Sequence, residues 1–516
     1  SSASIFELDP HYLEESMNTK ATRLDQVIMN RLKKDWAEPI LWWSGEWWTG
    51  EDIACLAAQY RQSLGDAGFG KGHRLAVMMP NSPAVLALSL AAWALGGAVA
   101  PINTRAGVPT TLGILELIDP FAVIMSEKME ELEEALASKE IPFFVSPLDA
   151  ALPHISGRQS VVGDEELAVI FATSGTTGRP KAVPLSHSNL IHNATTVFEE
   201  LTELAEGDVF LNVLPNFHSF GFTVAGVMPL LCGMKQTILP SFLPPHKTLE
   251  AICVSKTNVL LVVPTMLSFL LSSIDHGAPK PDHVKLIISG GDKLNIQLDS
   301  KIKEYFGVGV LEGYGLTECS PVVCVNPSYA KRKLGTVGPF ISGYQWKLGN
   351  EHGEDVKTSK EGVLWVRGSS VAAEYFRDPE KSAGRFDGGW FNTGDYVQID
   401  EDGYVRILDR VTDIIIVGGF NVYPQEVEAI LQTHPAIEQT VVIGIPHQIN
   451  GEVPKAYVKK APGIALSPRD VIDFCKKHLA HYKVPRSVEF IDAFPLSSTG
   501  KILRRLLRKK EEVKHS

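Results

Sequence analysis

Apolar and polar positions switch between two periods along most of the chain. Short apolar runs at 73–79, 168–171, 209–213, 259–263, 284–289 and 308–312 alternate with longer stretches of helical spacing such as 51–67. That alternation predicts parallel strands covered by helices, an α/β fold. Near the start, Trp42-Trp43 and Trp47-Trp48 flank a polar turn, Ser44-Gly45-Glu46. The spacing predicts a hairpin whose tryptophans pack across the strands rather than forming a ligand platform. Residues 83–102 carry no charge and approach the length of a membrane span. Gly96-Gly97 divides them into an Ala/Leu helix and a short strand, and Pro264 divides 257–274 into a strand and a helix. Neither reads as a span.

From about residue 334 the texture changes. Turn signals crowd together and strands at 362–367 and 403–408 lie close in sequence, predicting a β-rich lobe. Beyond Asp409-Arg410, helices are expected at 426–434 and 468–479, and strands at 437–444, 455–460 and 487–491. That suffices for a separate α+β domain. The expected division is 1–410 and 411–516, since 516 residues exceed what one hydrophobic core organises.

Sixty acidic residues against 49 basic ones leave a net charge of −11. So acidic a chain gains little from phosphate counterion release, and nucleic acid is not expected as a partner. The six cysteines form no CxxC, and Cys319 and Cys324 have no second pair to complete a zinc site. Reduced thiols, and residues 1–20 without the apolar core of a signal peptide, lead to the expectation of a soluble cytoplasmic protein with at most peripheral membrane contact.

The strongest chemical signal is Phe171-Ala172-Thr173-Ser174-Gly175-Thr176-Thr177-Gly178-Arg179-Pro180-Lys181. Hydroxyls, glycines and a lysine after an apolar strand can wrap a phosphate with backbone N–H groups. The spacing is not that of a Walker A loop, because Pro180 stands where glycine is required. Further motifs follow in order: Tyr314-Gly315-Leu316-Thr317-Glu318, Thr393-Gly394-Asp395, Asp409-Arg410-Val411-Thr412-Asp413, Gly418-Gly419-Phe420-Asn421, and Ser498-Thr499-Gly500-Lys501.

These motifs, in this order, resemble the signature of the adenylate-forming superfamily, and the likeness runs from about Trp47 to the end. The resemblance implies a large N-terminal domain of parallel-rich α/β subdomains with a β-rich lobe, and a small mobile α+β C-terminal domain. It implies ATP, Mg2+ and coenzyme A as cofactors. By resemblance, Thr173, Ser174, Gly175, Thr176, Thr177, Gly178 and Lys181 hold the β- and γ-phosphates. Glu318 is the expected Mg2+ ligand with Thr176, and Thr317 meets the α-phosphate. Tyr314, Gly315, Gly290, Gly291 and Asp292 line the adenine pocket, and Asp395 with Arg410 takes the ribose. Lys501 is the expected catalytic cation, delivered by rotation about a hinge, here Thr412 where the family carries Asp or Lys. Gly418 and Gly419 are expected to line the pantetheine tunnel.

Leu214-Pro215-Asn216-Phe217-His218-Ser219-Phe220 resembles the family's aromatic-histidine motif, which implies a site role for His218. The stretch 217–231 contains no Asp or Glu, and a buried ammonium without a counter-charge is costly, which disfavours an amino acid substrate. Phe217 and Phe222 suit an apolar acid. The context resembles fatty-acid-activating members, so the expected partners are a medium- or long-chain or related apolar carboxylic acid, ATP and coenzyme A. An acyl carrier protein is the alternative acceptor, and a catalytically silent nucleotide-binding module the reading outside enzymology. Retention of Lys501 and Glu318 argues against silence. The basic run Arg504, Arg505, Arg508, Lys509, Lys510 reads first as a solvated helix, otherwise as a docking face. A monomer or homodimer is expected.

Overall fold

A computed structural model of the chain describes residues 22–158, 163–164, 166–174, 180–350, 354, 360–497 and 500–515. The chain divides into two compact units. One comprises 1–334, 339–345 and 367–391, the other 335–338, 346–366 and 392–516.

The first unit holds two sheets. In the larger, strands run in the order Val322–Val325, Leu311–Gly315, Leu286–Ser289, Val259–Val262, Val209–Asn212, Lys235–Ile238, Pro39–Trp43 and Glu46–Thr49. The five from Leu311–Gly315 to Lys235–Ile238 are mutually parallel. Their central apolar runs are wholly buried (Val259 through Val262 are at 0 % exposure), as a strand with helices on both faces must be. The tryptophan hairpin closes the other edge, pairing Trp42 with Trp47, and the Trp43 indole N–H donates to Asp149 at 2.9 Å. The second sheet runs Phe143–Val145, Ala122–Met125, Arg74–Met78, Ala98–Pro101, Leu167–Ser174 and Pro180–Ser186. Only its last pair is antiparallel. The uncharged stretch folds as expected, into the buried helix Pro83–Ala94 and the strand Ala98–Pro101. Gly97 permits the close turn between them, since a Cβ there would stand 2.4 Å from the Phe69 ring. Among the described residues no helix is long and apolar enough to cross a membrane.

In the second unit, the portions of strands Tyr344–Gly349, Glu361–Gly368 and Trp390–Ile399 that belong to it join Val405–Arg410 in one sheet. A further sheet contains Phe420–Val422, Ile415–Val417, Gly451–Lys460, Ile437–His447 and Ser487–Phe490. Helices Pro424–Leu431 and Pro468–His478 pack over a core that includes Val427, Leu431, Val442, Val458, Val471 and Cys475. The helix Arg504–His515 carries the basic run and extends beyond it. It buries Leu507 against Val441, Ile443 and Tyr457.

Its basic residues are solvated as expected at Arg505, Lys509 and Lys510 and depart from that expectation at Arg504 and Arg508. Arg504 forms an ion pair with Glu428 and also donates to the Val442 carbonyl at 2.8 Å. Arg508 pairs with Asp413, and Lys510 with Glu489 at 2.7 Å. Arg505 and Lys509 are exposed. A basic residue facing the unit's own carboxylates loses less on burial than one facing bulk apolar surface, so the pattern of charge is structural.

Candidate active site

Four consecutive parallel strands of the larger sheet end at the same edge, and each is followed by a segment singled out in the sequence. Val209–Asn212 leads into Leu214–His218, Val259–Val262 into Val263-Pro264, Leu286–Ser289 into Gly290-Gly291-Asp292, and Leu311–Gly315 into Thr317-Glu318. Ligands of parallel sheets bind beyond the carboxyl ends of the strands, and here that edge collects the chemistry. Register places Ser289 beside Glu312, so the glycine pair and Tyr314 leave the sheet as neighbours. At Gly290 a Cβ would lie 3.2 Å from the Phe220 ring. At Gly315 it would meet the Pro321 carbonyl oxygen at 2.4 Å, which only glycine avoids. Tyr314 is half-buried, paired across to Cys324.

The phosphate-loop candidate lies between the antiparallel strands Leu167–Ser174 and Pro180–Ser186, which pair Thr173 with Lys181 and Ser174 with Pro180. Gly175, Thr176, Thr177 and Gly178, including the second expected metal ligand, lie outside the described residues. Lys181 stands on the second of these strands and places Nζ 2.8 Å from Glu318 Oε1. Glu318 sits in the short 3-10 turn Thr317–Cys319 and is 5 % exposed. Burial pushes its carboxyl up, but the Lys181 charge and hydrogen bond outweigh burial and hold it below the ordinary carboxylate range.

A residue that the sequence reading passed over completes this group. The Tyr375 hydroxyl donates to the same Glu318 Oε1 at 2.8 Å, and Lys181 Nζ lies 5.0 Å from the Tyr375 ring centroid. Burial, then the Glu318 charge, raise the Tyr375 phenol well above its ordinary value, so it stays a donor. No periodicity or motif marks Tyr375; it stands 57 positions beyond Glu318.

His218 follows an apolar loop, half-buried, with its ring 5.0 Å from that of Phe217. Burial pushes its imidazole down to about 4, which keeps it neutral at physiological pH. Beneath it runs a chain of buried amides missed in the sequence. Asn216 N–H donates to Asn81 at 2.8 Å, Asn216 and Asn81 both donate to Asn212, and Asn212 donates to Gln236 at 2.9 Å. Gln236 then donates to the Gly226 carbonyl at 3.0 Å. That carbonyl belongs to a π-helix, Phe220–Val227, an uncommon element that recurs at functional sites. Phe222 is fully buried, edge-on to Phe171 and Trp93, so its ring supports the wall from behind.

The remaining candidates belong to the second unit. Asp395 is 3 % exposed and pairs with Arg410, Nε to Oδ1 at 3.2 Å. Thr412 is exposed in the turn Val411–Asp413. Gly418 and Gly419 form a two-residue hairpin turn between Ile415–Val417 and Phe420–Val422, with φ of +57° and +87°. Both central positions of such a turn need positive φ, which glycine supplies. Lys501 is exposed; the Ser497 N–H donates to its carbonyl at 2.7 Å and its own N–H donates to Ser497 Oγ. Ser498 and Thr499 lie outside the described residues.

Among the described residues no three His, Cys, Asp or Glu side chains cluster as a metal site. The single buried carboxylate of Glu318 fits an ion that brings other oxygen ligands with it on a triphosphate.

Two family models match the chain. The model for AMP-binding enzymes matches residues 30–376, and that for the AMP-binding enzyme C-terminal domain matches 426–501. A feruloyl-CoA synthase of Amycolatopsis sp is 32% identical over 464 residues, covering 90% of this chain and 94% of that protein. A long-chain-fatty-acid–CoA ligase of Bacillus subtilis (strain 168) is 30% identical over 510 residues, covering 90% of each. The crystal structure of ATP-bound MatB from Rhodopseudomonas palustris superposes with a TM-score of 0.85 at 29% identity, over 96% of this chain and all of that one. The chain belongs to the AMP-binding, adenylate-forming enzyme family, with its large N-terminal and small C-terminal domains. It is an AMP-forming acid–thiol ligase that uses ATP and coenzyme A.

Proposed function

We propose that the acid is apolar, a medium- or long-chain fatty acid or a related compound, and that coenzyme A receives the acyl group. The observation that carries this reading is the wall from Phe217 to Leu231, which contains no charged side chain of either sign and begins at a neutral His218. Neither an ammonium nor a second carboxylate finds a partner there, and leaving either unpaired in a dry site is costly. An apolar chain against Phe217 and Phe220 loses nothing of the kind.

In the first half-reaction a carboxylate oxygen attacks the α-phosphorus of ATP, the bond to the bridging oxygen breaks, and pyrophosphate leaves. In the second, the thiol sulfur attacks the acyl carbon, AMP leaves, and the thiol proton goes to solvent. When bound, the Mg2+ that accompanies ATP supplies charge neutralisation at the phosphate oxygens. Lys181 would hold the terminal phosphates and Glu318 would hold the ion. Thr317 would donate to the α-phosphate, Asp395 would accept from the ribose hydroxyls, and Lys501 would neutralise the charge that develops on the attacked phosphate. Delivery of Lys501 by the segment from 411 onward, pivoting at Thr412, belongs to the same proposal, as does the Gly418-Gly419 turn beside the thiol. The ion pairs of the half-buried Arg504 and Arg508 support coenzyme A over an acidic carrier protein, because they withdraw two of five cations from any docking face. Six free thiols suit the cytoplasm.

The test is ATP–pyrophosphate exchange with octanoate, palmitate, ferulate, succinate and phenylalanine, followed by thioester formation with coenzyme A or carrier protein. Exchange with the apolar monoacids and thioester on coenzyme A are expected. Exchange confined to succinate or phenylalanine, or acyl transfer to the carrier protein alone, would overturn the reading.

A further inference from the structure

The segment 370–376 braces both halves of the proposed phosphate site. Ala372 N–H donates to the Glu318 carbonyl at 2.8 Å, and Ser320 Oγ donates to the Ser370 carbonyl at 2.6 Å. At its other end Phe376 N–H donates to the carbonyl of Ala182, the neighbour of Lys181, at 2.8 Å. One segment therefore sets the distance between the lysine strand and the acidic turn. Tyr375 is its side-chain contribution. The ring is 1 % exposed and packed edge-on against Phe386, and its backbone N–H is held by Ser382 Oγ at 2.9 Å, so the hydroxyl has one aim, Glu318 Oε1.

Lys181 and Tyr375 share that oxygen but differ in freedom. The ammonium rides on a flexible stem with a partly exposed side chain. A triphosphate carries more negative charge than one carboxylate and competes for it successfully. The phenol cannot follow. We propose that Tyr375 is a positioning residue for ATP activation, whose hydroxyl fixes Glu318 Oε1 while Lys181 turns to the phosphates. This rests on the reading of Glu318 as the carboxylate that meets the ATP-borne cation. A hydrogen bond to a charged group contributes about 1.5–3 kcal/mol, so its loss should read as roughly a 10- to 100-fold effect.

The experiment measures ATP binding to the full chain by calorimetry, with Mg2+ and with EDTA, in the absence of acid. Tyr375→Phe keeps the ring and removes the donor. It should weaken Mg2+-dependent ATP binding at least about tenfold, shift metal-free ATP binding less than about twofold, and lower the melting temperature by only a few degrees. Glu318→Gln should abolish the Mg2+ increment by itself, and Tyr375→Phe added to it should cost nothing more. Equal weakening of both ATP forms, or additive losses in the double variant, would show ordinary packing and overturn the proposal. Should Tyr375→Phe melt below the assay temperature, the double variant compared with Glu318→Gln carries the decision. If Glu318→Gln leaves the Mg2+ increment intact, the reading of Glu318 falls, a result distinct from failure of Tyr375 alone.

Discussion

Arg504 grips both carboxylate oxygens of Glu428, with Nη2 2.8 Å from Oε2, and Lys501 lies three residues upstream of it. The ion pair ties the start of the last helix to the helix Pro424–Leu431, and Glu428 also accepts from the Val442 N–H at 2.8 Å. The chain just after Lys501 is thus anchored within the second unit. Glu428→Gln leaves a largely buried guanidinium short of a counter-charge, and a loss of about 3 kcal/mol in unfolding free energy is expected. Pyrophosphate exchange should fall at least tenfold, while thioester formation from supplied acyl-AMP falls much less. Equal losses in both half-reactions would refute the anchoring role.

Lys501 itself should divide the two half-reactions more cleanly. Its side chain is exposed and supports no core, so Lys501→Ala should keep the melting temperature within about a degree while adenylate formation drops by a factor of 100 or more. Thioester formation from pre-made acyl-adenylate should persist. Parallel loss of both steps would contradict its assigned chemistry.

The Gly418-Gly419 turn should behave in the opposite sense. Nothing stands within 4 Å of a Cβ at Gly419, but its φ of +87° penalises other residues. Asn tolerates the left-handed region better than most, so Gly419→Asn serves as the control for backbone strain against Gly419→Trp. Bulk at this turn should slow thioester formation and spare pyrophosphate exchange. If Gly419→Asn and Gly419→Trp are equally impaired, strain rather than obstruction is responsible.

Two groups give opposite pH signatures. His218 titrates at about 4 in the folded chain against 6.5 ordinarily, because burial disfavours the imidazolium. The unfolded chain then binds more protons between these values, so the stability His218 contributes is full above pH 6.5 and lost as pH falls toward 4. Asp409 is pushed up to about 7 by burial, against relief from Arg504 and with further opposition from Glu428. Here the folded chain binds the extra proton. The stability is full below the ordinary 3.8 and lost as pH rises through about 7. Melting curves from pH 4 to 8 should show His218→Gln flattening the acid limb and Asp409→Asn the neutral one. An unchanged neutral limb in Asp409→Asn would refute the assignment.

Much of this molecule is legible along the chain. The apolar runs that become the four central strands are short, continuous and bounded by turn residues, and strands buried on both faces have no other way to look. The motifs after them are local in sequence, so Gly290, Tyr314, Thr317, Glu318 and the lysine strand could be found without a fold. The π-helix at Phe220–Val227 could not, since an all-apolar stretch carries no period that distinguishes it from other buried helices. The pairing of the basic run 504–510 was hidden for a related reason. Composition marks it as cationic, but its acidic partners Glu428, Asp413 and Glu489 come from distant positions.

The linear order of residues was enough to determine the fold class and the family and to name candidate groups for the nucleotide, because those depend on local spacing. Only the folded chain decided who meets whom. Lys181, Glu318 and Tyr375 lie 137 and 57 positions apart, and they converge because an antiparallel strand of one sheet, the turn after a parallel strand of the other and a single braced segment meet there. Contacts over such separations depend on topology, which no local pattern encodes.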